Sequence, residues 1–86
     1  MPTTSEFYGI AIRMYLNDHS PPHFHALYGD DEALISLVEL QVIRGGLPKT
    51  ALSLVLEWAK LHRVELEKDW ELCRLKQMPT KIEPLA

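Results

Sequence analysis

Three of the four histidines of this chain fall within seven residues, at positions 19, 23 and 25. Histidine changes its charge near neutral pH, and its ring nitrogens are common metal ligands. His23 and His25 are two residues apart, so on a β-strand both side chains leave the same face of the sheet. The spacing therefore predicts a histidine cluster that can transfer protons or bind a metal ion.

An alternation of apolar and polar residues predicts the strands that carry this cluster. It runs over residues 7–16 and resumes over 23–28, after a turn-forming segment at 17–22 that contains two prolines. Apolar residues indicate a third strand near 33–37 and a short fourth near 40–43. Because short turns join the successive segments, the pattern predicts a three- to four-stranded antiparallel meander over about 7–44.

The apolar spacing changes to three or four residues at about 48 and continues to about 77, which indicates helix. An unbroken helix would be ~45 Å long, whereas a domain of this size is roughly 25–30 Å across. We therefore expect a break near 61–64 and two helices, followed by an extended arm over 79–86. The fold class is α+β in one domain over residues 1–86. The helices should pack on the sheet face formed by Tyr8, Ile10, Ile12 and Met14.

Composition and charge narrow the class of protein. No apolar run approaches the ~20 residues that cross a bilayer, and no basic, apolar leader is evident, so we expect a cytoplasmic protein without membrane contact. The single Cys73 cannot form an internal disulfide and should be a core thiol. A net charge of −3 argues against broad, charge-driven binding of nucleic acid, although a local basic patch is compatible with it. The acidic residues over 65–71 are expected on a solvated helix face.

Strand pairing predicts which side chains join the histidines. If residues 7–16 and 23–28 form a hairpin, registers that keep both apolar faces on the core place Arg13 or Tyr15 beside His25. The same registers place Tyr15 or Asn17 beside His23. With the connecting loop included, the predicted site consists of Arg13, Tyr15, Asp18, His19, His23 and His25.

Acid–base catalysis is the first chemistry that suits this set. One of His23 and His25 would act as the general base and the other as the general acid, with no cofactor. The guanidinium of Arg13 matches the geometry of a phosphate, so a phosphodiester is the natural substrate, and RNA supplies its own nucleophile, the 2′-hydroxyl. Asp18 would orient an imidazole, and His19 and Tyr15 would assist.

Two further interpretations stay open. His19, His23 and His25, with or without Asp18, could bind zinc and leave one coordination position open, as in a metal-dependent hydrolase. Alternatively, the polar sheet face could carry the histidines without chemistry, in a binding or regulatory module. Because the histidine face should face solvent, we expect His23→Ala to change the free energy of unfolding by less than ~1 kcal/mol.

The stretch Gly9–Ala26, above all its core Asn17-Asp-His-Ser-Pro-Pro-His-Phe-His25, closely resembles the signature of a small bacterial family known as domain of unknown function 4160. The similarity extends to further segments along the chain, namely Met1-Pro-Thr, Glu32-Ala-Leu-Ile35, Gly46-Leu-Pro48, Leu56-Glu-Trp-Ala59 with His62-Arg63, and Lys81-Ile-Glu-Pro-Leu85. Genes of this family often lie beside a second small domain of unknown function, in an arrangement that resembles a toxin–antitoxin pair. The resemblance therefore implies a toxin role and a small antitoxin protein as partner, and it implies no particular reaction.

Overall fold

The computed structural model describes residues 3–16 and 18–86, which form an antiparallel sheet and two helices. The elements are β1 (Thr3–Phe7), β2 (Ile10–Arg13), β3 (His23–Tyr28), β4 (Asp31–Ser36), β5 (Val42–Gly45), α1 (Lys49–Leu61) and α2 (Arg63–Arg74). The strands are neighbours in chain order, and each is antiparallel to the next. The predicted α+β class and meander are confirmed, but the described sheet has five strands where three to four were expected.

The additional strand comes from a turn inside the predicted first strand. Tyr8 and Gly9 have φ values of 50° and 77°, and Phe7 pairs with Ile10 across them. Two consecutive positive φ values are typical of a two-residue hairpin turn. Because this turn reverses the chain, Phe7 and Ile10 share the buried face, whereas Tyr8 is 60% exposed. The prediction that Tyr8 belongs to the core is therefore wrong.

The helices bury one face of this sheet. On the sheet side, alternate residues of β2, β3 and β4 are buried, and on the helix side the buried residues recur at helical spacing. The predicted packing of the helices on the sheet face formed by Ile10, Ile12 and Met14 is thus confirmed. The main members of this core are Ile10, Ile12, Met14, Phe24, Ala26, Ala33, Ile35, Ala51, Val55, Trp58, Ala59, Leu66 and Cys73.

The break between the helices occurs at His62, inside the predicted range of 61–64. Its φ of −120° is not helical, and its amide donates to the carbonyl groups of Trp58 and Ala59. The rings of Trp58 and His62 lie 5.5 Å apart, so His62 packs on the core tryptophan. Neither described helix has the length and apolar character that a membrane crossing requires.

The segment after α2 has neither helix nor strand over 77–86, and it folds back on its own chain. The amide of Ile82 donates to the Thr4 carbonyl at 2.7 Å, and the Trp58 indole donates to the Glu83 carbonyl at 2.8 Å. Ile82 is buried in the core. These bonds attach the C-terminal arm to β1 and to α1.

Asp69 contradicts the expectation of a fully solvated acidic face, because its side chain is completely buried. Its Oδ1 accepts hydrogen bonds from the amide and the hydroxyl of Thr80, both at 2.9 Å. Burial raises the pKa of Asp69, and the two bonds from Thr80 only partly oppose this effect. The carboxyl group therefore connects α2 to the start of the arm, in a buried position that disfavours its charged form.

Gly45 ends β5 at a position that no other residue fits. Its φ is 70°, and a Cβ there would overlap the carbonyl oxygen of Glu32, which also accepts the Gly46 amide. Gly45→Ala should lower the free energy of unfolding in urea by about 2 kcal/mol or more, because left-handed strain and the overlap add. Gly29→Ala is the matched control, since Gly29 has a φ of 58° and nothing within 4 Å. Equal losses at Gly45 and Gly29 would contradict the overlap.

Candidate functional site

A row of paired residues crosses four strands and positions the candidate site. Arg13 of β2 pairs with His25 of β3, His25 pairs with Leu34 of β4, and Leu34 pairs with Arg44 of β5. Paired residues share a face of the sheet, and this face is opposite to the one that the helices cover. The predicted neighbourhood of Arg13 and His25 is confirmed, whereas no sequence pattern indicated that Arg44 joins the row.

Asp18 brings the two strand histidines together. Its Oδ2 lies 3.1 Å from Nε2 of His23 and 3.1 Å from Nε2 of His25. These three atoms all lie within 4.8 Å of one another. The other oxygen, Oδ1, accepts the backbone amide of His19 at 2.8 Å, which fixes the carboxyl group. We refer to Asp18, His23 and His25 as the His–Asp centre.

The hydrogen bonds at Nδ1 determine how both rings are used. Nδ1 of His23 lies 2.7 Å from the Pro21 carbonyl, and because a carbonyl only accepts, this nitrogen carries a hydrogen. Nδ1 of His25 lies 3.0 Å from Oε2 of Glu32, a carboxylate that also accepts. In each ring, Nε2 is therefore the nitrogen that is turned toward Asp18. With Nδ1 as the donor, a neutral ring presents the lone pair of Nε2 to the carboxylate, whereas a protonated ring donates Nε2–H to it.

The surroundings of the rings differ from the solvent-facing site that the sequence suggested. His23 is only 5% exposed, and its ring lies 5.3 Å from that of Trp70 in α2. The rings of Tyr15 and His25 are nearly perpendicular, with centroids 4.4 Å apart. The expectation that His23 faces solvent is therefore wrong, because the loop before β3 and the indole of Trp70 cover it.

Asp18 is a carboxylate in this setting. Burial raises its pKa, but the hydrogen bonds from His25 and the His19 amide, with the positive potential of His23 and His25, outweigh burial and hold the pKa of Asp18 below its ordinary value. The centre therefore contains one negative charge between two imidazole nitrogens. A proton or a cation is the natural occupant of the space between such groups.

The His–Asp centre forms one side of a cavity of about 650 Å³. Arg44 also lines this cavity, whereas Arg13 and Tyr15 are not among its lining residues. Arg13 lies beside His25, and its buried Nε has no hydrogen-bond partner among the described residues. The lining consists of Asp18, His19, Ser20, Pro21, His23, His25, Glu32, Leu34, Ile43 and Arg44.

The structure changes the membership of the predicted set. His19 lines the cavity, but its exposed ring is not part of the metal-binding geometry, where Asp18 takes the place that the three-histidine alternative gave to His19. Asn17 lies outside the described residues. Glu32, Arg44 and Trp70 were missed, since only the register of β4 and β5 and the path of α2 bring them to the histidines.

Fold and site together define a small α+β protein in which a loop aspartate joins two histidines of β3, with Trp70 of α2 packed beside His23. The chain belongs to the family described as Domain of unknown function (DUF4160), whose model matches residues 9–71. The matched range begins before β2, contains the complete His–Asp centre and ends within α2, and it confirms the predicted family. No curated protein and no solved structure matches this chain.

Proposed function

We propose that this protein is the toxin member of a bacterial toxin–antitoxin pair, and that it cleaves a phosphodiester, with RNA as the substrate class. The observation that carries the proposal is the convergence of two imidazole nitrogens, each 3.1 Å from the Asp18 carboxylate, at the wall of a cavity. The toxin role and the antitoxin partner rest on the resemblance to the family, and a cytoplasmic location follows from that role.

The arginines favour a phosphate-bearing substrate. Arg44 lines the cavity together with the centre, and Arg13 lies beside His25 with an unpartnered Nε. Neither guanidinium forms an ion pair with a described carboxylate, so both remain free to bind an anion. A guanidinium binds two phosphate oxygens at once, and a cavity of this volume accommodates a nucleotide-sized group.

The proposed reaction is an internal transfer at phosphorus. Nε2 of one histidine takes the proton of the 2′-hydroxyl as that oxygen bonds to phosphorus, the bond from phosphorus to the 5′-oxygen breaks, and the 5′-oxygen takes up a proton from Nε2 of the other, protonated histidine. Both histidines act through Nε2, because Nδ1 of each ring is bonded to Pro21 or to Glu32. Nε2 can serve as a proton-transfer group or as the ligand of a cation that polarises the phosphate.

Growth on induced expression in a bacterial host tests this function. The natural chain should arrest growth and produce cleaved RNA, whereas the double variant His23→Gln/His25→Gln, with its fold confirmed by circular dichroism, should do neither. His62→Gln is the matched control, because its ring packs on Trp58 away from the cavity, and this variant should behave like the natural chain.

Two results would contradict the proposal. Arrest by the double variant as strong as that by the natural chain would assign the effect to binding, as in a regulatory module that uses its sheet face to hold a partner. Absence of arrest by the natural chain at good soluble yield would remove the toxin role. Cleavage of purified RNA by the natural chain in that second case would preserve the enzymatic part alone.

A further inference from the structure

We propose that Asp18, His23 and His25 form a binding site for one divalent transition-metal ion, with Zn²⁺ as the best-matched probe. Any role of the ion in catalysis rests on the proposed function, the cleavage of a phosphodiester at the same centre. The binding itself is independent of any activity and is tested without a substrate.

The distances fit one small ion. In a tetrahedral zinc site with bonds of ~2.0–2.1 Å to nitrogen and oxygen, neighbouring ligand atoms are about 3.3 Å apart. Oδ2 of Asp18 lies 3.1 Å from Nε2 of each histidine, so these two separations need only a small outward movement, and the three ligand atoms all lie within 4.8 Å of one another. Two imidazole nitrogens and one carboxylate oxygen are a ligand set that zinc uses in hydrolases.

Each ligand is held by a second hydrogen bond on its far side. Nδ1 of His23 donates to the Pro21 carbonyl, Nδ1 of His25 faces the Glu32 carboxylate, and Oδ1 of Asp18 accepts the His19 amide. A metal-bound histidine ordinarily donates its other N–H to a carbonyl or a carboxylate, which fixes both its tautomer and its ring orientation. The centre thus has the outer hydrogen bonds of a metal site at all three ligands.

The charge and shape of the centre also favour a cation. A carboxylate and two Nε2 atoms face one another, and a neutral histidine with Nδ1–H has only a lone pair to offer there. A divalent ion uses all three lone pairs at once. The cavity beside the centre leaves room for a fourth ligand, a water or a phosphate oxygen, as in catalytic rather than structural zinc sites.

Zinc binding to the purified full-length chain tests the proposal directly. After treatment with a chelator and desalting, native mass spectrometry and calorimetric titration with Zn²⁺ should show one ion per chain. Asp18→Asn, His23→Gln and His25→Gln should each lose stoichiometric binding while keeping the circular dichroism of the natural chain. Glu32→Gln, which alters a positioning residue, should retain the site with about 10- to 100-fold weaker affinity.

His19→Gln and His62→Gln serve as matched controls, because they remove the two imidazoles outside the centre and should leave the affinity for Zn²⁺ unchanged. Loss of binding in either control, or no binding by the natural chain, would overturn the site. Binding without RNA cleavage would keep the metal site and contradict the proposed cleavage of RNA. Cleavage that persists after complete removal of metal would keep the function and assign it to proton transfer.

Discussion

The His23→Gln variant should cleave a phosphodiester at least 100-fold more slowly than the natural chain. His23 supplies one of the two Nε2 atoms of the centre, and glutamine cannot reproduce that nitrogen either as a proton-transfer group or as a metal ligand. A positioned acid or base contributes about 10²- to 10⁴-fold to a rate, so loss of one member should remove most of the activity. The measurement is the initial rate of cleavage of a short RNA by purified protein.

The stability of the same variant reports the burial of His23. Because the ring is 5% exposed and bonds to Pro21 and Asp18, the substitution should lower the free energy of unfolding by about 1–3 kcal/mol. A solvent-facing ring, as expected from the sequence, would instead change the free energy of unfolding by less than ~1 kcal/mol. His62→Gln should keep the natural cleavage rate, and a rate within threefold of natural for His23→Gln would remove His23 from the chemistry.

Trp58→Ala should have the largest effect on stability, a loss of about 3–5 kcal/mol in the free energy of unfolding. Its side chain is completely buried between the sheet and the arm. Its ring lies 5.4 Å from Phe7 and 6.0 Å from Phe24, and its Nε1–H donates to the Glu83 carbonyl. The substitution removes the packing of these rings and one bond that holds the arm. Urea denaturation measures the loss.

Two companion variants separate the contributions of Trp58. Trp58→Phe keeps most of the apolar contact and removes the bond to Glu83, so it should cost about 1–2 kcal/mol and remain measurable if the alanine variant does not fold. Leu61→Ala, at a residue of α1 that is 68% exposed, should change stability by less than about 0.5 kcal/mol. A loss below about 1 kcal/mol for a folded Trp58→Ala would contradict the central role of this residue.

The local pattern was sufficient to predict the elements near the site. Strict alternation predicted that His23 and His25 leave the face opposite to Phe24, and the observed pairing of Arg13 with His25 confirms the predicted hairpin. The change of spacing near residue 48 predicted the two helices, and the size of the domain predicted their break. These predictions succeed because strand and helix periods depend on near neighbours in the chain.

The same pattern failed where the chain reverses within an alternating segment. Residues 7–16 keep their alternation of residue types through the turn at Tyr8, although the turn changes which residues share a face. The burial of Asp69 was also hidden, because its reason is the return of Thr80 from the arm. In both cases burial depends on a contact between two segments, and the periodicity within each segment does not indicate how the two lie relative to one another.

Strand periodicity was enough to establish which histidines share a sheet face, and the sequence motifs were enough to establish the family. Folding was needed to show that Asp18, and not His19, closes the centre, that Glu32 holds His25, and that Arg44 lines the cavity. These contacts depend on the path of a proline-rich loop and on the registers of β4 and β5, including a shift between Leu34 and Ile35. Such registers are set by turns and packing across the whole sheet.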